Sequence, residues 1–363
     1  MTDVAPSITV RAEPLKALVC AIVDGAGSET REAELVAEQL VGANLTGHDS
    51  HGVGMLPRYI ENVQAGGLHI NQHVTVVRDA GPLLTLDGNA GFGQVMGYEA
   101  MARGIERAAE FGVAVVALAN SHHVGRIGHW AEQCIAAGYV SMHYVNVLSD
   151  PVVAPFGGRD ARFVTNPFCV GIPVPGQEPI VLDFATSRIA VGKVRVAMNK
   201  GEQVKPGILL DHDGEPTTNP RALFSNPHGA IVPFGEHKGY ALAMVCELLG
   251  GALTGGGTMH YRAKNRTIIN NMLSIVIDPN RLGTGADMAS ETAAFIEWVK
   301  QSPVAQGADR IKMPGEPERD YRRDRSATGI PIDKTTWAEI IEAARKMGID
   351  NEKAETLAGV AGL

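Results

Sequence analysis

From residue 73 onward, apolar runs of strand length alternate with helix-length amphipathic stretches. That alternation limits the chain to a sheet covered by helices. VTVVRDAG and LLTLDG read as two strands joined by a turn at Gly81-Pro82. GQVMGYEAMARGIERAAEFG reads as a helix, VAVVALA as a buried strand and HWAEQCIAAG as a helix. YVSMHYVN and PIVLDFA follow as strands, then the helix GYALAMVCELLGGAL and the strand LSIVIDP. Hairpin-like neighbours beside strand–helix–strand runs make a mixed sheet the expected core.

The flanking segments read differently. SETREAELVAEQLVGANLTG carries apolar residues at helical spacing, with Ser28 or Thr30 as the expected N-cap and Gly47 as the stop. A second short helix is expected from near Pro57 through Tyr59, Ile60 and Val63 to Gly66. Residues Gly307 to Gly329, rich in Pro, Gly, Arg and Glu, read as an extended crossing. TTWAEIIEAARKMG then closes the chain with a helix that needs a partner, for which the N-terminal helices are available. The expected division is 1–72, 73–306 and 307–363, with the first and last segments packed together. There is no internal repeat and no low-complexity tract.

Bulk properties narrow the functional classes. The 363 residues carry 45% hydrophobic and 20% charged side chains and a formal charge of −8. No long Lys/Arg run is present, so neither nucleic acid nor an anionic membrane is an expected partner. Cys20, Cys134, Cys169 and Cys246 are scattered without a C-x-x-C pair, which fits a reducing cytosol. The opening MTDVAPSITVRAEPLKALVC lacks the pattern of a secretory signal, and no apolar run reaches spanning length. A soluble cytoplasmic protein is expected.

Two glycine-flanked histidine loops stand out: GHDSHG, with His48, Asp49, Ser50 and His51, and NSHHVGRIG, residues Asn120 to Gly128. A lone histidine is more often structural, but two such loops, one at a strand–helix junction, are site material. His48 and His51 with Asp49 offer metal donors, yet no H-E-x-x-H, facial triad or cysteine ligand accompanies them. DGNAGFGQVMG contains G-x-G at Gly91 and Gly93 without the third glycine or the acidic residue of a Rossmann fingerprint. Its glycines read as turn and helix-packing residues. TNPFCVGIP and LDFATS place polar residues at strand ends, and GEHKGYALAM puts Lys238 at a helix start. A cation there opposes the helix dipole, so an anionic partner would account for it.

Taken in order, D-S-H-G-V-x-x-x-P-x-Y, N-S-x-H-x-G, T-N-P, D-x-A-T-S, K-G-Y and P-G-E resemble the signature of the type 2 malate/L-lactate dehydrogenases. That family is also called sulfolactate dehydrogenase-like, and the likeness covers essentially the whole chain. GHDSHG, GFGQV, SHHVGRIG and EHKGYALA resemble most the branch typified by hydroxycarboxylate dehydrogenase B. The resemblance implies a non-Rossmann mixed α/β fold with a helical domain built from both termini. It implies a homodimer that binds NAD or NADP and interconverts 2-oxo and 2-hydroxy acids, or reduces cyclic imino acids with NADPH.

The resemblance also places roles. The proton-donating histidine falls on His51, which also touches cofactor, with Ser50 beside it and His123 as the second active-site histidine. Cofactor contacts fall on Gly125, Arg126 and Ile127, on Asp183, Phe184, Ala185, Thr186 and Ser187, on Lys238, and on Met313, Pro314, Gly315 and Glu316. Hydride delivery to a ketone leaves alkoxide character on oxygen, and a histidine donates or accepts that proton near neutral pH. No metal is expected. Where many members carry an arginine for the substrate carboxylate, this chain has Met55. Arg126 is then the first candidate for that contact and Arg58 the second. Met55 suggests a pocket that accepts larger or aromatic side chains. A metal-dependent lyase or hydrolase and a non-catalytic ligand-binding protein are the readings from other classes.

Overall fold

The computed structural model describes residues 7–260 and 267–360. The chain opens with strand β1 (Ser7–Val10) and helices α1 (Ala12–Gly25) and α2 (Thr30–Leu45). Two 3-10 turns, Asp49–His51 and Val53–Met55, lead into α3 (Leu56–Gln64). The hairpin of β2 (Thr75–Ala80) and β3 (Leu83–Asp87) precedes α4 (Gly93–Phe111), β4 (Val113–Ser121), α5 (Gly128–Ala136) and β5 (Val140–Leu148). β6 (Pro167–Ile172) and β7 (Ile180–Ala185) form a second hairpin, followed by α6 (Val191–Lys200). Three two-residue strands come next: β8 (Leu209–Leu210), β9 (Pro216–Thr217) and β10 (Ala230–Ile231). α7 (His237–Cys246) runs into a π-helical turn at Glu247–Ala252, and β11 (Ile269–Ile277) follows. The chain ends with α8 (Gly285–Lys300), α9 (Glu316–Thr328), β12 (Ile330–Asp333), α10 (Lys334–Lys346) and α11 (Asn351–Leu357).

The large sheet has the order β2-β3-β4-β11-β5-β6-β7. Only β3 and β4 run parallel; every other neighbouring pair in it is antiparallel. The mixed sheet expected from the hydrophobic pattern is therefore present, with β11 at its centre. β11 is buried along most of its length because β4 and β5 flank it and helices cover the faces. The first and last segments meet directly: β1 pairs with β12 from Ser7↔Asp333 to Val10↔Ile330. One apolar cluster runs from Val10 through the sheet residues Leu86, Val116 and Val276 to Ile340 and Val360. A second, smaller cluster around Val153, Phe163, Val194 and Ile231 supports the β8–β10 lobe. No described helix is long and apolar enough to cross a membrane.

Three local expectations are corrected. The stretch read as an extended crossing contains α9, which starts with Pro at its first turn and acidic Glu316 and Glu318. α9 buries no residue completely, so it lacks the apolar stripe that reveals a helix in sequence. Neither Ser28 nor Thr30 caps α2. Glu29 holds the N-cap position without a side-chain bond, and Ser28 Oγ donates to the buried Glu32 at 2.7 Å. The helix GYALAMVCELLGGAL changes to a π turn at Glu247. Glu247 is buried there and accepts from Asn166 Nδ2 at 2.7 Å and the Met259 N–H at 2.6 Å. Gly250 lets that turn press on β5, since a Cβ would lie 2.7 Å from the Asn146 nitrogen.

Candidate active site

The GHDSHG turn is held from both ends of the chain. Asn44, buried in the last turn of α2, donates through Nδ2 to Asp49 Oδ1 at 2.7 Å and accepts the Val53 N–H through Oδ1 at 2.8 Å. Only a glycine fits at position 52, because a Cβ would lie 2.2 Å from Asn44 Oδ1. From α9, Arg325 grips both Asp49 oxygens at 2.6 and 3.0 Å, and Glu318 faces His48 Nε2 at 3.2 Å. A helix unread in the sequence thus clamps the most conspicuous loop in it.

The clamp delivers His51 to His123. His51 Nδ1 lies 3.1 Å from His123 Nε2, with the ring planes 4° apart. His123 follows the end of β4, where the Val124 N–H is held by Asn270 Oδ1 at 2.9 Å and the His122 N–H by the Gly91 carbonyl at 3.0 Å. The loop lies flush on the start of α4: a Cβ on Gly93 would sit 2.2 Å from the His123 carbonyl oxygen. The glycines read as packing residues do pack. On its other side His123 Nδ1 meets Tyr59 Oη at 2.6 Å, and Gln94 Nε2 donates to that same oxygen at 2.9 Å. His122 turns away and meets Asn62 Nδ2 through Nε2 at 2.9 Å.

Electrostatics keep both histidines neutral at pH 7. Burial pushes His51 down to about 4, with Asp183 pulling the other way and His48 and Arg126 adding to the depression. Burial likewise holds His123 well below the usual histidine range, reinforced by His51, His122 and Arg58. Burial is the leading cause for both. Tyr59 is pushed above the ordinary phenol range by burial, against the Gln94 hydrogen bond.

The remaining candidates sit in three groups. Arg126 is buried and paired with Glu132, and its Nε lies 3.7 Å from Asp183 Oδ2. Asp183 also accepts the Gly128 N–H at 2.7 Å, which ties β7 to the second histidine loop. Gly125 adopts a φ of 72°, and Ile127 is buried in the core. Beyond Asp183, Phe184 packs edge-on against Phe168 and Phe234, and Ala185 ends β7. Thr186 is fully buried and donates to the Thr165 and Asn166 carbonyls; Ser187 Oγ donates to the Ile189 carbonyl. The Phe234 N–H reaches the Thr186 carbonyl at 3.0 Å, bringing the start of α7 and the exposed Lys238 close to this strand end. Met313, Pro314, Gly315 and Glu316 form the third group. The Pro314 carbonyl accepts the Val181 N–H at 3.2 Å, and Glu316 pairs with Lys300 at 2.9 Å.

Ser50 is exposed and faces the start of α6, where a Cβ on Gly192 would come within 3.5 Å of its own Cβ. Met55 is half-buried and packs on the main core. Arg58, exposed at the residue level on α3, is drawn down by the partial burial of its guanidinium and by the charge of Arg195, against Glu61, and neither arginine has an ion-pair partner among the described residues. Arg195, Tyr59, Gln94 and the Asp49–Arg325 pair escaped sequence reasoning. Tyr59, Gln94 and Asp49 had a signal there, through their places in the P-x-Y, GFGQV and D-S-H-G motifs. Among the described residues no cluster of three His, Cys, Asp or Glu side chains is arranged to hold a metal.

A family model for malate/L-lactate dehydrogenase matches residues 10–341. The chain is 51% identical over 344 residues to hydroxycarboxylate dehydrogenase B of Escherichia coli K12, covering 94% of this chain and 95% of that protein. A solved E. coli structure of malate/lactate dehydrogenase type matches with a TM-score of 0.93 at 50% identity, over 97% of this chain and 99% of that one. The Δ1-piperideine-2-carboxylate reductase of Pseudomonas syringae matches with a TM-score of 0.81 at 31% identity, over 93% of this chain and 100% of that one. With a family model spanning most of its length and a relative identical at half its positions, the chain belongs to the malate/L-lactate dehydrogenase family.

Proposed function

We propose that this chain reduces 2-oxo acids to 2-hydroxy acids, and oxidises them in reverse, with His51 exchanging the proton at the C2 oxygen. The observation that carries the reading is the His51–His123 contact, which sets a neutral imidazole at the mouth of a buried hydrogen-bond chain. A neutral histidine is poised as the base for alcohol oxidation. In reduction, the negative charge arriving with the substrate favours its protonated form. Ser50, exposed next to His51 in the chain, hydrogen-bonds the same oxygen in this reading.

The residues around the pair suit a nicotinamide dinucleotide. Lys238 is exposed at the start of α7 with no ion-pair partner among the described residues, and a phosphate would supply one. Gly125 to Gly128 and Asp183 to Ser187 form one backbone-lined edge, and the Met313–Glu316 loop borders it through Val181. The nicotinamide, when bound, supplies or takes up the hydride. The protein orients the acid, excludes water and moves the proton.

The substrate carboxylate belongs on Arg58, with Arg195 adding positive field. Arg126 is already engaged by Glu132 and Asp183, and a buried ion network of this kind organises a loop rather than greeting a ligand. Its role in the proposal is to set Asp183 and the second histidine loop. Half-buried Met55 beside the turn leaves room for substrates with larger side chains. A cytoplasmic homodimer completes the reading. Four unpaired thiols and exposed apolar side chains such as Leu248, Leu253, Phe295 and Trp298 support it.

A panel of 2-oxo acids, from glyoxylate to phenylpyruvate, assayed with NADH and with NADPH tests the reading through loss of reduced-nicotinamide absorbance. Oxidation of either cofactor by an open-chain 2-oxo acid is expected. Turnover confined to cyclic imino acids would replace it with the chemistry named for the Pseudomonas relative.

A further inference from the structure

The hydrogen-bond chain behind His51 has a direction, and its far end sets that direction. Gln94 Nε2 donates to Tyr59 Oη at 2.9 Å, so the single phenolic proton is left to point at His123 Nδ1, 2.6 Å away. A His123 that accepts at Nδ1 carries its proton on Nε2, which faces His51 Nδ1 at 3.1 Å. His51 then accepts at Nδ1 and must present an N–H at Nε2. Turning the Gln94 amide over would reverse every bond in this row. Tyr59 would donate to Oε1, His123 would donate from Nδ1, and His51 would donate from Nδ1, leaving its Nε2 bare or able to bind a second proton.

Gln94 is fully buried, and its Oε1 has no hydrogen-bond partner among the described residues. It also lines a cavity of about 260 Å³ between α2, α4 and α5, together with Gln39, Tyr98 and Gln133. Gln39 Nε2 and Gln133 Oε1 on the same cavity are unpartnered as well.

We propose that Gln94 is a positioning residue whose amide orientation selects the tautomers of His123 and His51. The inference rests on His51 as the proton donor. In the reversed row the His51 Nδ1 proton is held against His123, so only Nε2 exchanges. In reduction Nε2 takes a proton from solvent and gives it to the substrate oxygen; in oxidation it takes the alcohol proton and returns it to solvent. In the unturned row Nε2 already carries the ring's one proton and has no lone pair for the alcohol. Turning the amide over therefore arms His51. The charged and titratable groups facing the row are Asp183, His48 and Arg126 at His51, and His122 and Arg58 at His123. Glu38, Glu132 and His129 border the cavity.

The test reads tautomers directly, without turnover, in the cofactor-free full-length protein labelled with 15N-histidine. At pH 7.5 the wild type should show His123 protonated at Nε2. Gln94→Glu, whose carboxylate can only accept, should move that proton to Nδ1. Gln94→Met, which neither donates nor accepts, should populate both forms, and serves equally if the glutamate variant does not fold. In turnover, Gln94→Met should lower kcat by about tenfold or more with little change in substrate KM. The same His123 tautomer in wild type and both variants would overturn the proposal. A tautomer that switches in a protein unable to oxidise reduced nicotinamide would instead overturn the dehydrogenase reading.

Discussion

His51 and His123 meet nitrogen to nitrogen at 3.1 Å, although 72 residues separate them and one stands on a 3-10 turn, the other on a loop. The Asn44–Asp49–Arg325 clamp fixes the first loop, and Asn270 fixes the second. Because His51 is the outer member of the pair, its removal should abolish proton exchange while the fold stays intact. His51→Ala is expected to lower kcat by roughly two to four powers of ten with cofactor affinity near wild type. Measuring kcat beside the dissociation constant of the reduced cofactor checks this. A variant with weak cofactor binding and normal kcat would shift the proton role to His123.

Lys238 stands exposed at the start of α7, where the helix dipole disfavours a cation unless an anion is near. Lys238→Ala should raise the cofactor KM far more than the substrate KM, and the gap should narrow as salt is added. Equal effects on both constants, or none, would leave Lys238 as an ordinary surface lysine.

How much of this could be read in the sequence follows from what burial does to a pattern. Strands β4 and β11 announced themselves because their apolar runs fill a two-sided core. GHDSHG was visible because polar residues packed between glycines are rare in such a chain. α9 was not, because ion pairs such as Arg325–Asp49 and Lys300–Glu316 hold it rather than an apolar face. The Gln94–Tyr59–His123 row was out of reach for a different reason. Its members lie 35 and 64 residues apart, and a long-range hydrogen bond leaves no periodicity.

Buried neutral histidines make the fold sensitive to acid. His143 sits inside the sheet between Ser274 Oγ at 2.8 Å and Ser141 Oγ at 2.9 Å, and burial pushes it down to about 3. His122 is also lowered to about 3, by burial and then by Arg58. A histidine lowered in the folded state leaves the unfolded chain binding more protons below about pH 6.5. Its stabilisation is therefore complete above that pH and is lost as pH falls toward its folded value. Each such residue removes about 1.4 kcal/mol per pH unit in this window. Urea unfolding at pH 7.5 and 5 should show a loss of about 2 kcal/mol from His143 alone, absent in His143→Gln. Parallel pH profiles for the two proteins would contradict it.

Arg58 and Arg126 were both candidates for the substrate carboxylate, and their surroundings separate them. Arg126 is buried against Glu132 and within 3.7 Å of Asp183, so a third carboxylate would meet a cation whose charge is already balanced. Arg58 has no ion-pair partner among the described residues, is repelled by Arg195 against a smaller pull from Glu61, and lies near enough to His122 and His123 to depress them. An incoming carboxylate relieves that repulsion and gains a charge-assisted contact. Arg58→Ala should therefore lower kcat/KM for 2-oxo acids by about a hundredfold, mostly through KM, with the cofactor constant unchanged. Arg126→Ala should loosen the second histidine loop and strand Glu132 and Asp183, so it should cost thermal stability and weaken the cofactor and the acid together. If Arg126→Ala raised only the substrate KM while Arg58→Ala left it unchanged, the carboxylate would sit on Arg126 after all, with Glu132 swinging aside to admit it.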